Sequence, residues 1–87
     1  MNVNVQSIEA AIFYVTGKGK QKYKAKMILE VVKVKKIKNG QYLVDLGLLY
    51  EQLSYLGPVE QLIEKNYSCI EMMLGVAEVK YDEWLKN

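Results

Sequence analysis

The residues with the clearest capacity for chemistry are nine lysines between positions 18 and 38. Against the single acidic residue of that stretch, Glu30, they give it a formal charge of +8, whereas residues 39–87 carry −5. Clustered ammonium groups attract phosphate backbones without reading base sequence. The candidate polyanion-binding residues are therefore Lys18, Lys20, Lys22, Lys24, Lys26, Lys33, Lys35, Lys36 and Lys38.

The first five of these lysines occupy every second position from 18 to 26. Alternate residues of a β-strand point to the same face, so this spacing predicts one cationic face and one largely apolar face. Tyr23, Met27 and Val31 belong to the predicted apolar face. Two interpretations of the lysine row follow. It is either a solvated strand whose lysines prevent edge-to-edge aggregation, which we favour, or a polyanion-binding surface.

Several classes of function lack their usual residues. The sequence has no histidine and no arginine, and Cys69 is its only cysteine. The commonest general base and metal ligand is therefore missing, and a nucleophile such as Cys69 has no evident partner. The acidic residues are scattered along the chain and are typical of solvated helix faces. We accordingly expect no metal, no cofactor and no enzymatic activity.

The element that organises the chain is a hairpin around Asn39-Gly40. This pair readily adopts positive φ at both central positions of a tight type I′ turn. A two-residue turn would place Ile37 opposite Tyr42 and Lys38 opposite Gln41. Strands are therefore predicted at about 20–37 and 41–46. The adjacent Val31 and Val32 break the alternation, which indicates a β-bulge or sharp bend there.

Upstream of the hairpin, the β-branched and aromatic residues from Ile12 to Val15 favour a strand over about 3–15. The same segment also fits a helix capped by Ser7, and residues 5–15 are left open between the two. Downstream, an apolar stripe predicts a helix over 46–56 capped by Asp45. Pro58 favours a second helix over 58–74, with a strand over 67–74 as the alternative, and 76–81 is predicted to be a short strand.

These elements predict an α+β fold in a single domain, 1–87. A three-stranded antiparallel meander carries the C-terminal helices on one face. The sequence contains neither an apolar run long enough to span a membrane nor a signal peptide, and a single cysteine suits the reducing cytoplasm. We expect a small protein–protein interaction module that acts as an accessory, regulator or inhibitor and forms a homodimer. The alternative is a sequence-nonspecific nucleic-acid-binding protein that uses the lysine-rich hairpin.

Overall fold

The chain begins with a two-residue strand and a helix, and the long strand predicted for 3–15 is wrong. The computed structural model describes residues 2–19, 21–59 and 70–86. Strand β1 spans Asn2–Val3 and helix α1 spans Val5–Thr16. The cap of α1 is Asn4, whose Oδ1 accepts a hydrogen bond of 2.8 Å from the backbone N–H of Ser7. Burial along one helical stripe therefore outweighs the β-propensity of this segment; the buried residues are Ile8, Ala10, Ala11, Ile12 and Val15.

The lysine-rich strand predicted for 20–37 is also wrong over most of its length. Helix α2 spans Lys22–Val32 and strand β2 spans only Lys33–Lys36. The buried positions of α2 recur at steps of three, one and three residues, which is a helical spacing; they are Ala25, Ile28, Leu29 and Val32. The change of phase at Val31–Val32, which predicted a bulge, marks instead the junction between the helix and the strand.

The hairpin predicted around Asn39-Gly40 is present, but its register differs by one residue. Strand β3 spans Tyr42–Val44 and pairs with β2 so that Lys36, not Ile37, lies opposite Tyr42. Asn39 and Gly40 have φ of 64° and 74°, as the sequence predicts. The turn contains three residues because the N–H of Ile37 donates to the Gln41 carbonyl oxygen at 2.8 Å. A register shift lies between Lys33 and Lys35.

Helix α3 spans Leu46–Ser54 and confirms the predicted apolar stripe and its cap. Asp45 Oδ1 accepts a hydrogen bond of 3.0 Å from the N–H of Leu48, and Leu49 and Leu53 are fully buried. Pro58 and Val59 are not helical, and residues 60–69 lie outside the described residues. The remaining part of the helix predicted for 58–74, and the alternative strand at 67–74, fall mostly on that segment.

Helix α4 spans Ile70–Lys86, so the strand predicted for 76–81 is wrong. The buried residues Leu74, Ala77 and Tyr81 recur at helical spacing. Near the end of α4, the rings of Phe13, Tyr81 and Trp84 have centroids 5.1–5.7 Å apart. The Trp84 ring lies so close to Gly19 that a Cβ there would meet it at 2.6 Å.

The fold class is α+β, as predicted, with a three-stranded antiparallel sheet and C-terminal helices. The strand order is β1-β3-β2, so the strands do not follow the sequential order of a meander. Helix α1 packs against each of the other three described helices. The hydrophobic core joins these helices to Val3 and Val44 of the sheet and leaves β2 as an exposed edge strand.

Candidate functional site

Helix α2 divides the lysines that the sequence predicted to form one row. Successive residues of a helix are rotated by about 100°, so alternate positions do not share a face. Lys22 and Lys26 lie one turn apart and line a cleft beside the hairpin. Lys24 lies on the opposite flank of α2, next to α3. Lys20 lies outside the described residues.

The outer surface of α2 carries large apolar side chains that the sequence had assigned to the core. Tyr23 is 79% exposed, and Met27 and Val31 are each 54% exposed. Their four-residue spacing places them in one row along the helix. We refer to Tyr23, Met27 and Val31 as the apolar row. On a helix, these four-residue steps place the apolar row on a different face from the buried stripe of α2. This helical spacing is present in the sequence, but the alternating lysines suggest a strand instead.

A shallow, largely apolar groove runs between the apolar row and α3. Its volume is ≈ 210 Å³, and it is lined by Lys24, Met27, Ile28, Val31, Gln52, Tyr55 and Leu56. The Tyr55 side chain forms the far wall and is 70% exposed. Its hydroxyl donates a hydrogen bond of 2.6 Å to Glu51 Oε1. This hydrogen bond and the carboxylate's negative charge raise the pKa of Tyr55 above its ordinary value of 10.0.

The remaining predicted lysines lie around the edge of the sheet and in a loop. Lys35, Lys36 and Lys38 are exposed along β2 and the hairpin turn, and Lys18 is exposed between α1 and α2. Lys33 Nζ lies 3.2 Å from Glu30 Oε1, which is the one ion pair in the described part of the chain. Because β2 is an edge strand, this arrangement fits the edge-protecting role of lysine.

Neither a cluster of metal-binding side chains nor a membrane-spanning helix is found in the described ranges. Residues 2–19, 21–59 and 70–86 contain no group of three or more histidine, cysteine or acidic side chains placed to hold a metal ion. Within the same ranges, no helix combines the length and the hydropathy that a membrane span needs. Cys69 lies outside them.

The chain matches no protein-family model, and no curated protein or solved structure is significantly similar to it. The exposed chemistry of α2 and its surroundings is therefore the basis for a functional hypothesis. Two features of different character lie on its two flanks, an apolar groove next to α3 and a lysine-lined cleft next to the hairpin.

Proposed function

We propose that this protein is a non-enzymatic interaction module that binds a second copy of itself through the apolar row of α2. The observation that carries this proposal is the exposure of Tyr23, Met27 and Val31 beside an apolar groove. Contiguous apolar surface of this kind is typical of protein-binding sites, because removing apolar surface from water favours association. The proposal includes a reducing, cytoplasmic location, because a single cysteine offers no intramolecular disulfide.

The positions of the residues on α2 favour a second copy over an unrelated partner. A twofold axis perpendicular to α2 near Met27 pairs the helix with an antiparallel copy of itself. Met27 then meets its counterpart, and Tyr23 of each copy approaches Val31 of the other. The row is self-complementary because its large aromatic side chain faces a smaller aliphatic one at both ends.

The charges on the same flank of the row complement each other in this arrangement. Lys26 and Glu30 are one turn apart on the flank away from α3, and both are exposed. Reversing the helix direction brings Lys26 of one copy opposite Glu30 of the other, and symmetry makes the contact twice. Glu30 already bonds Lys33 at 3.2 Å within its own chain, and its side chain is 70% exposed, so one carboxylate can accept from both ammonium groups.

Pairing through the sheet edge is a less favourable route to a dimer. The exposed edge strand β2 carries Lys33, Lys35 and Lys36 within four residues. Antiparallel pairing of two such strands would bring six ammonium groups together, and like charges on neighbouring strands are destabilising. The apolar row therefore remains the favoured contact.

The test is sedimentation equilibrium of the full chain over a range of concentrations, with Met27→Asp as the disrupting variant. One helix face buries less than a standard interface of about 1,200–2,000 Å², so we expect weak, micromolar-range association. Met27→Asp should raise the dissociation constant at least about tenfold, since it buries a charge at the twofold axis. The matched control is Val79→Asp, which alters a side chain that is 58% exposed on α4.

A charge exchange tests the antiparallel arrangement itself. Lys26→Glu and Glu30→Lys should each weaken the dimer, because each creates like-charge contacts across the axis, and the double variant should restore association. A wild type that stays monomeric at every concentration would contradict the proposal. So would Val79→Asp weakening association as much as Met27→Asp.

A further inference from the structure

A second feature of α2, on the flank opposite the apolar groove, has a different chemistry. A cleft of ≈ 520 Å³ lies between the start of α1, α2, the hairpin and the end of α4. Its size is within the range of about 300–1,000 Å³ that small-molecule sites occupy. We infer that this cleft binds a nucleotide unit, with the phosphate on Lys22 and Lys26 and the base against Tyr42.

The cationic wall is formed by Lys22 and Lys26, which lie one helical turn apart on the same flank of α2. Within one chain, neither ammonium group takes part in an ion pair with the described residues, where the single salt bridge joins Lys33 to Glu30. In the proposed dimer Lys26 also lies opposite Glu30 of the second copy, and Lys22 is the cation of the cleft that takes no part in that contact. Two ammonium groups at this separation, about 5–6 Å between Cβ atoms, suit the oxygens of one phosphate group. The lysine ammonium group is a point charge and lacks the planar bidentate geometry of arginine. The two lysines should therefore bind phosphate monoesters and diesters alike.

The aromatic wall is Tyr42, on the central strand β3 of the sheet. The Nζ atom of Lys33 lies 6.0 Å from the centroid of this ring, which brings a third cation to the same side of the molecule. Aromatic side chains beside a cationic groove stack nucleobases in proteins that bind single strands. This cleft thus combines two neighbouring lysines with an aromatic ring.

The far side of the cleft favours a base that carries an amino group. Glu9 Oε1 accepts a hydrogen bond of 2.7 Å from the Tyr81 hydroxyl, which fixes the carboxylate at the cleft. A carboxylate has two acceptor oxygens, so Oε2 is available to accept from an exocyclic amine such as that of adenine or cytosine. Gln6 and Asn4 add amide groups along the same wall.

The test is a titration of the full ¹⁵N-labelled chain at low salt, followed by ¹H–¹⁵N NMR. The probes are AMP, adenosine, UMP and a single-stranded oligo(dA). We expect AMP to shift the backbone amides of Lys22, Lys26 and Tyr42, adenosine to bind at least about tenfold more weakly, and UMP to bind more weakly than AMP. If oligo(dA) binds more tightly than AMP and also shifts the backbone amides of Lys33, Lys35 and Lys36, the nucleotide unit belongs to single-stranded nucleic acid. Equal affinities for AMP and oligo(dA) identify a free nucleotide.

The variant Lys22→Gln/Lys26→Gln should lose affinity for AMP about tenfold or more. Lys22→Gln alone leaves the proposed dimer contact of Lys26 intact and should also weaken AMP binding. The matched control is Lys24→Gln/Lys35→Gln, which removes the same charge from the opposite flank of α2 and from the sheet edge. Equal losses in the two variants would overturn the site, since diffuse charge would then explain the binding. Absence of any shift at Lys22, Lys26 and Tyr42 with AMP and oligo(dA) at millimolar concentration would overturn it as well, as would equal affinity for AMP and adenosine.

Discussion

Gly57 lies where the chain leaving α3 passes the backbone of α1. A Cβ at this position would overlap the carbonyl oxygen of Val15, whereas a Cβ at Gly75, within α4, would meet none of the described atoms within 4 Å. We therefore expect Gly57→Ala to destabilise the protein by about 1–3 kcal/mol through overpacking. Gly75→Ala should stabilise it by about 0.8–1.0 kcal/mol, the difference in helix propensity. Urea unfolding of both variants measures the two effects, and a change of the same sign in both would contradict this packing.

The residues of the candidate surfaces were visible in the sequence, but their grouping was not. Every described candidate lysine apart from Lys33, which pairs with Glu30, is an exposed cation free of ion pairs with the described residues. The predicted lysine row does not form, because the helical rotation of about 100° per residue places Lys24 on one flank of α2 and Lys26 on the other. The same rotation turns Met27 outward from its predicted core position.

At the scale of elements, two local signals with a specific chemical cause were confirmed, whereas the predicted cap Ser7 and the helix start at Pro58 were wrong. Asp45 caps α3 through its side-chain oxygen, and Asn39 and Gly40 adopt the positive φ for which this pair is suited. Periodicity over a short segment was less decisive. Ala25 and Leu29 fit both a strand face and a helical stripe, and the choice depends on packing against α1 and α3, which no local pattern contains.

Helix α4 is held on α1 by a hydrogen bond between residues 72 positions apart, from the Tyr81 hydroxyl to Glu9 Oε1 at 2.7 Å. Tyr81→Phe removes this bond and keeps the ring beside Phe13 and Trp84. We expect a loss of about 1.5–3 kcal/mol in the free energy of unfolding, since the acceptor is charged. The control is Tyr23→Phe, because the Tyr23 side chain is 79% exposed and the loss there should be close to zero. Equal losses would show that the hydroxyl of Tyr81 does not anchor α4.

At the scale of the whole molecule, the proposed dimer makes the free energy of unfolding depend on the protein concentration. A small chain buries a modest fraction of its surface, so an additional interface is a substantial share of its stability. A partner that binds only the folded state adds RT ln(1 + [L]/Kd), about 2.7 kcal/mol when its concentration is 100 times the Kd. The melting temperature of the wild type should therefore rise with protein concentration. For a domain of this size, 1 kcal/mol corresponds to about 4–8 °C.

The decisive comparison is with Met27→Asp, measured by circular dichroism and calorimetry over the same concentrations. Met27 is 54% exposed in the single chain, so the substitution should change the monomer's stability by no more than about 0.5 kcal/mol. The two proteins should melt together at the lowest concentration and diverge as concentration increases, because only the wild type gains from association. A constant offset at every concentration would instead mean that Met27 stabilises the isolated fold, and the apolar row would then be part of the core and not a contact surface.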